Sequence, residues 1–235
     1  MTQGLGDPPL PVWRPSEAAP PPSPRSSAPF RDVFSAALCG VPTTVVGLAE
    51  APRPLRTDDW TRTADAVDHA MVAACTGPTV DLGCGPGRLT EALTAQGRTA
   101  LGVDVVAESV QRTRARGCSA VRRDLFASLP GEGRWDAALL ADGNVGIGGD
   151  PVRLLARAAR LVRPDGRVVV EVAPPGVVSR SGWARLTGGG LTSSAFRWAV
   201  VGVDDARAAA EAAGLQLLEQ VHHAGDRWSV VLARH

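Results

Sequence analysis

The apolar and polar positions of this chain follow one grammar between Ala64 and Val172 and a different one on either side. Within that stretch, short apolar runs alternate with segments whose apolar residues recur every three to four positions. The first, "ADAVDHAMVAAC" (64–75), carries Val67, Met71 and Ala74 at helical spacing. It follows a candidate cap at Thr63 and stops before Gly77, which predicts a helix. Strand "PTVDLG", helix "RLTEALTAQ" closed by Gly97, strand "TALGVDV", helix "AESVQRTRAR" closed by Gly117 and a short strand near "CSAVRR" come next. Strand "WDAALLA" leads to a helix capped by Asp150 with Pro151 as its first residue, running to Arg163 before "PDG" breaks it, and strand "RVVVEVA" follows. Alternation of this kind is the pattern of a parallel sheet built from βαβ units.

Both ends read differently. Nine of the nineteen prolines precede residue 30 without apolar periodicity, so residues 1–29 are expected to form a disordered or extended tail and residues 30–235 the globular domain. "FRDVFSAAL" has the spacing of a short helix. In the last third, "PPGVVSRSGWARLTGGG" reads as loop, "SSAFRWAVV" as a strand and "DDARAAAEAAG" as a capped helix. "LQLLEQVHH" and "RWSVVLARH" flank a tight "AGD" turn, and strands so closely linked must be antiparallel.

Composition narrows the function classes. Arginine supplies all 25 basic residues against 24 acidic ones, and no block of like charge stands out, so neither a nucleic acid nor an anionic membrane is an expected partner. With no lysine, a Walker A loop, a Schiff-base lysine and lysine-dependent methyl-transfer tetrads are excluded. Cys39, Cys75, Cys84 and Cys118 form no CxxC pair and have no nearby histidine cluster, so no metal site is expected and the thiols are read as reduced. No apolar run reaches the roughly 18 residues of a membrane helix, and a cytoplasmic location is the expectation.

The chemistry concentrates in "VDLGCGPGRLT" (80–90), where Gly83, Gly85 and Gly87 lie between a strand and a helix. Glycine suits close backbone approach, and a helix start offers free N–H groups to an anion. The GxGxxG dinucleotide fingerprint would need glycine at position 88, which is Arg88. Asp81, just ahead of the loop, would repel a pyrophosphate and welcome an ammonium group. A ligand bearing both charges, such as an amino acid moiety, fits the pair.

The run Asp81-Leu-Gly-Cys-Gly-Pro-Gly87 resembles the first motif of class I S-adenosylmethionine-dependent methyltransferases, and the resemblance extends from about Thr63 to Val172. It implies a Rossmann-like α/β fold: seven mostly parallel strands, an antiparallel C-terminal hairpin and helices on both faces. It further implies that Asp81, Gly83, Cys84, Gly85 and Gly87 surround the methionine end of S-adenosylmethionine, that Asp104 and Val105 hold the ribose, and that Asp124 takes the adenine amino group with Leu125 or Phe126 against the base. Ala141 lies in the segment "LLADGNVGIGGDP", where the family meets methionine and acceptor. Asp142 is the nearest candidate base and Asn144 the candidate for orienting the acceptor.

The expected activity is methyl transfer to an unidentified small molecule, with a hydroxyl as one candidate target. Absence of [DN]PP[FYW] after the fourth strand argues against DNA amino methylation. Residues 30–62 and 176–199 are too long for simple connections and are expected to cover the acceptor. Two other readings stay open, a non-catalytic S-adenosylmethionine or S-adenosylhomocysteine binder and, less favoured, an NAD-dependent oxidoreductase. Asp104 and Asp124 also have plain readings as a helix cap and a loop acid. His69, His222 and His223 are read as non-catalytic, whereas Trp60, Trp183 and Trp198 either line a cleft or seal a small core.

Overall fold

A computed structural model describes residues 19–22, 24, 27–49 and 51–235. Most of the proline-rich stretch therefore lies outside the described residues. Its end does not stay apart from the domain, since Ser27–Ala28 forms a strand (β1) and Arg185 donates to the carbonyls of Pro21 and Pro22 at 2.6 and 2.8 Å. Helix α1 (Phe30–Leu38), strands β2 (Thr43–Val46) and β3 (Arg53–Pro54) and helix α2 (Thr57–Thr61) follow.

Helix α3 (Ala66–Ala73) starts two residues later than its periodicity suggests. Its cap is Asp65, whose side chain accepts from the Asp68 N–H at 2.9 Å while the Asp68 carboxylate accepts from the Asp65 N–H at 3.0 Å. This reciprocal box satisfies two end donors where Thr63 would satisfy one.

The alternation then appears in the order read: β4 (Thr79–Leu82), α4 (Arg88–Ala95), β5 (Ala100–Asp104), α5 (Ala107–Ala115), β6 (Ala120–Arg122), β7 (Trp135–Leu140), α6 (Pro151–Leu161) and β8 (Val162–Val172), except that α6 stops at Leu161 rather than Arg163 and β8 already includes the "PDG" read as a break. Asp150 caps α6 by accepting from the Arg153 N–H, with Pro151 at the first helical position. Strands β9 (Arg180–Gly188), β10 (Leu191–Ser193) and β11 (Phe196–Val200) lead to α7 (Ala206–Ala212) and the hairpin β12 (Leu215–His223) and β13 (Arg227–Arg234).

Seven strands form the main sheet in the order β12-β13-β8-β7-β4-β5-β6, and β13 runs antiparallel to both its neighbours. The strand order reverses at β4, the strand that feeds the glycine loop, and in such sheets ligands bind at the carboxyl ends beside the reversal. The core is aliphatic: Leu82, Leu140, Leu154, Leu161 and Val168 on one face and Met71, Leu93 and Leu139 on the other are fully buried. Burial on both faces explains why β4 and β7 read as predominantly apolar rather than alternating, with Asp81 and Asp136 as the charged exceptions.

A second, smaller sheet, ordered β1-β10-β9-β2-β3 with β11 also paired to β9, is built mainly from the two segments too long to be connections, with β1 added from the end of the stretch expected to be a disordered or extended tail. Here the sequence reading needs correction, because "RSGWARLTG" is the central strand of this sheet rather than loop. Ala184 and Leu186 alternate inward at period two, but Arg185 between them and Ser181 and Gly182 before them carry little strand preference and hide the signal. Bridges Ile147↔Trp198 and Ala173↔Gly202 tie this cover to the main sheet. No helix among the described residues is long and apolar enough to cross a membrane.

Candidate functional site

A cavity of about 550 Å³ opens between the carboxyl ends of β4, β5 and β7 and the cover. Every residue expected at the donor or acceptor site lines it except Gly87. That glycine has φ +89°, and a Cβ there would stand 2.8 Å from the backbone of Thr113, so it serves the packing of the loop against α5. Gly85 is the opposite case: φ is +53°, no atom lies within 4 Å of where a Cβ would be, and it lines the cavity. Cys84 turns its sulfur inward, 3.7 Å from Thr113 Oγ1, and burial raises its thiol pKa well above the ordinary range, leaving it unreactive.

Asp104 ends β5 with both carboxylate oxygens on backbone, Oδ2 accepting from Gly85 N–H at 3.0 Å and Oδ1 from Val106 N–H at 2.8 Å. Burial raises its pKa against these bonds. The side chain is only half-buried, and each oxygen retains a lone pair for a further donor. Asp124 is exposed and accepts from the Phe126 N–H at 2.9 Å, which fixes the turn that brings Leu125 and Phe126 to the cavity.

Asp81 is 2% exposed and accepts from Thr90 Oγ1 at 2.6 Å. Burial pushes its pKa up to about 7, opposed by the Thr90 bond and Arg88 and reinforced by Asp142 and Asp104. Between the ordinary carboxylate pKa and 7 the folded chain holds a proton that the unfolded chain has released, so stability falls as pH rises through that window. With roughly 1.4 kcal/mol per unit, the free protein is expected to lose about 4 kcal/mol between pH 4 and pH 7 through this group alone. Asp81→Asn should flatten the slope measured by urea unfolding across that range; an unchanged slope would refute the assignment.

The two residues expected to act on the acceptor are otherwise engaged. Arg88 Nη2 lies 2.6 Å from each oxygen of Asp142, so both oxygens are already engaged, although burial raises the pKa of this carboxyl above the ordinary range against the pull of Arg88. Asp142 also has φ +52°, its N–H donating to Glu171 Oε2 at 2.6 Å. Asn144 spends its amide on the carbonyls of Leu82 and Gly83 at 3.1 and 2.8 Å, which makes it a strut between the glycine loop and the segment after β7.

What the sequence did not disclose is the charge cluster behind them. Asp68, fully buried on α3, accepts from Arg62, Arg88 and Arg227 at 2.7 to 3.0 Å. Arg227 also donates to Glu171 at 2.6 and 3.0 Å. Three arginines face three acids drawn from five separate stretches of chain, and no local motif announces such a set. The aromatic wall was half-announced: Trp60 and Trp198 line the cavity, Trp183 does not, and Phe30, Phe34 and Phe196 join them from the cover.

Residues 79–166 match the family model described as a methyltransferase domain. No curated protein is similar in sequence. A S-adenosylmethionine-dependent methyltransferase from Bacteroides fragilis, solved in complex with S-adenosyl-L-homocysteine, has a similar fold, with a TM-score of 0.73, 18% identity and coverage of 89% of this chain and 98% of that one. The 1,6-didemethyltoxoflavin-N1-methyltransferase of Burkholderia thailandensis, with 1,6-didemethyltoxoflavin and S-adenosylhomocysteine bound, superposes with a TM-score of 0.58 at 22% identity over 92% and 93% of the two chains. The CcbJ methyltransferase of Streptomyces caelestis gives 0.59 at 16% identity over 74% and 92%.

Proposed function

We propose that this chain is a class I S-adenosylmethionine-dependent methyltransferase that transfers a methyl group from S-adenosylmethionine to a small molecule held between the main sheet and the cover. The observation that carries the reading is one cavity with two chemically different ends. Gly85, Asp81, Asp104 and Asp124 gather on the sheet side, and an aromatic wall closes the cover side. A binder that did no chemistry would have no use for the second half.

The donor residues fit a zwitterionic nucleoside. Gly85 leaves open space where a side chain would stand, and Asp104 can accept from two adjacent hydroxyls. The Bacteroides fragilis and Burkholderia thailandensis proteins, both complexes with S-adenosylhomocysteine, support the choice of donor.

Bound S-adenosylmethionine supplies an activated methyl: the acceptor's lone pair forms the new bond to carbon as the carbon–sulfur bond breaks, its electron pair staying on the departing thioether. The chain's own work is placement, which costs little at the moment of reaction because the loop and strand ends are already fixed. Since Arg88 holds both oxygens of Asp142, the reading favours a hydroxyl of lowered pKa, such as a phenol's at about 10, whose proton a weak base or water can take, over an alkyl hydroxyl needing a strong base.

Titration calorimetry with S-adenosylmethionine, S-adenosylhomocysteine and NAD is the direct test. The first two are expected to bind and NAD not; tight NAD binding without the others would overturn the proposal. A screen of small-molecule pools with labelled methyl donor then identifies the acceptor.

A further inference from the structure

The chain has four phenylalanines and six tryptophans. All four phenylalanines line the one cavity, together with Trp60 and Trp198. By contrast, the fully buried core of the main sheet is leucine, valine and alanine, with Trp135 the sole buried aromatic among the described residues. Five of the cavity rings form a continuous wall. Phe34 stacks on Trp60 with centroids 5.8 Å apart, Phe30 adjoins Phe34 at 5.4 Å and meets Phe196 edge-on at 4.6 Å, and Phe196 meets Trp198 edge-on at 6.3 Å.

These rings come from α1, α2 and β11, elements more than a hundred residues apart at the extremes, and each remains half-buried. A minor core needing only apolar volume would close over such rings, and aliphatic residues serve that purpose elsewhere in this chain. A wall of adjoining rings left partly open offers instead what aliphatic side chains lack, faces and edges that pair with another ring.

Charge narrows the choice. Every acid lining the cavity, Asp81, Asp104, Asp124 and Asp142, belongs to the sheet side, and the cover contributes a single charged lining residue, Arg197. A cationic guest would face the aromatic wall with no carboxylate from the cover.

We infer that the acceptor is a planar aromatic molecule carrying no positive charge, seated against the rings of Phe30, Phe34, Trp60, Phe196 and Trp198. This rests on the methyltransferase reading of the same cavity. It also agrees with a ring-borne hydroxyl as the target, since the same ring that packs on the wall lowers the pKa of its hydroxyl.

The test uses the full chain saturated with S-adenosylhomocysteine and three probes of one skeleton: 2-naphthol, its saturated counterpart decahydro-2-naphthol, and (2-naphthyl)trimethylammonium. Binding is read by tryptophan fluorescence and calorimetry. The naphthol is expected to bind at least about tenfold tighter than the saturated alcohol and tighter than the cation. Phe34→Leu and Phe196→Leu, which keep an apolar side chain, should each weaken naphthol binding about three- to tenfold with S-adenosylhomocysteine affinity unchanged. Equal binding of the planar and saturated alcohols, including failure of both, overturns the inference, as does tightest binding of the cation or indifference to both substitutions. If S-adenosylhomocysteine does not bind while the naphthol behaves as expected, the methyltransferase reading falls and the aromatic seat stands.

Discussion

Replacing Asp104 by asparagine is expected to weaken S-adenosylhomocysteine binding by about 10- to 100-fold while the protein still folds. The carboxylate accepts the N–H groups of Gly85 and Val106, so it both shapes the glycine loop and presents its remaining lone pairs to the cavity. Hydrogen bonds to a charged group are worth roughly 1.5–3 kcal/mol each, and losing one such bond in a site closed from water corresponds to that range of affinity. Asparagine retains one acceptor oxygen and the size of the side chain, so the loop persists but two adjacent hydroxyls lose their common acceptor. Asp104→Ala should be worse, because it also strips two backbone donors of their partner. Calorimetry beside a thermal melt separates the effects: unchanged affinity in a folded Asp104→Asn protein would remove this residue from the donor site.

Asp68→Asn is expected to cost about 3–5 kcal/mol of folding stability. Asp68 is fully buried among the guanidinium groups of Arg62, Arg88 and Arg227, and Arg88 itself is only 3% exposed. Removing one of three acids leaves a buried excess of positive charge, and the asparagine amide would turn donors toward donors. Burial alone would raise the pKa of Asp68, but the hydrogen bond from Arg227, the Asp65 N–H and the charges of Arg88 and Arg227 outweigh it, so the pKa is lowered. The stabilisation is therefore present above the ordinary carboxylate pKa and is lost as pH falls below it, opposite in sign to the Asp81 effect. Urea unfolding at neutral pH checks the magnitude; a loss under about 1 kcal/mol would mean that water enters the cluster and solvates it. Because Arg88 also clasps Asp142, the variant should loosen the segment after β7 and weaken donor binding as well.

The two predictions differ in how visible their residues were. Asp104 stands at the end of an apolar run two glycines and a helix beyond the loop, at a spacing that a linear reading can measure. Asp68 lies in an ordinary helical stretch, and nothing near it in sequence marks Arg227, 159 positions away, as its partner. The same contrast holds for the strands. β4, β5, β7 and β8 were legible because burial on both faces makes them predominantly apolar, whereas β9, pairing in a thin second sheet, has only two buried residues, Ala184 and Leu186, with arginine between them and serine and glycine before them. The glycine loop was located correctly, yet its three glycines do different things: Gly85 leaves room in the cavity, Gly87 makes room for α5 and Gly83 lies against Asn144.

By itself, then, the sequence determined the alternation of strand and helix, the turn into the antiparallel hairpin, the loop and the acids at the strand ends, because each is set by local propensity, periodicity and chain direction. Only the tertiary structure decided which polar groups are already spent and which remain for a ligand. Asp142 and Asn144 stand where an acceptor-facing pair was expected, but long-range partners claim their side chains. The aromatic wall arises the same way, from rings on α1, α2 and β11 that meet only when the cover closes on the sheet. Hydrogen-bond capacity and ring contact are properties of neighbours in space, and burial, which makes each such pairing strong, is established only once the chain has folded.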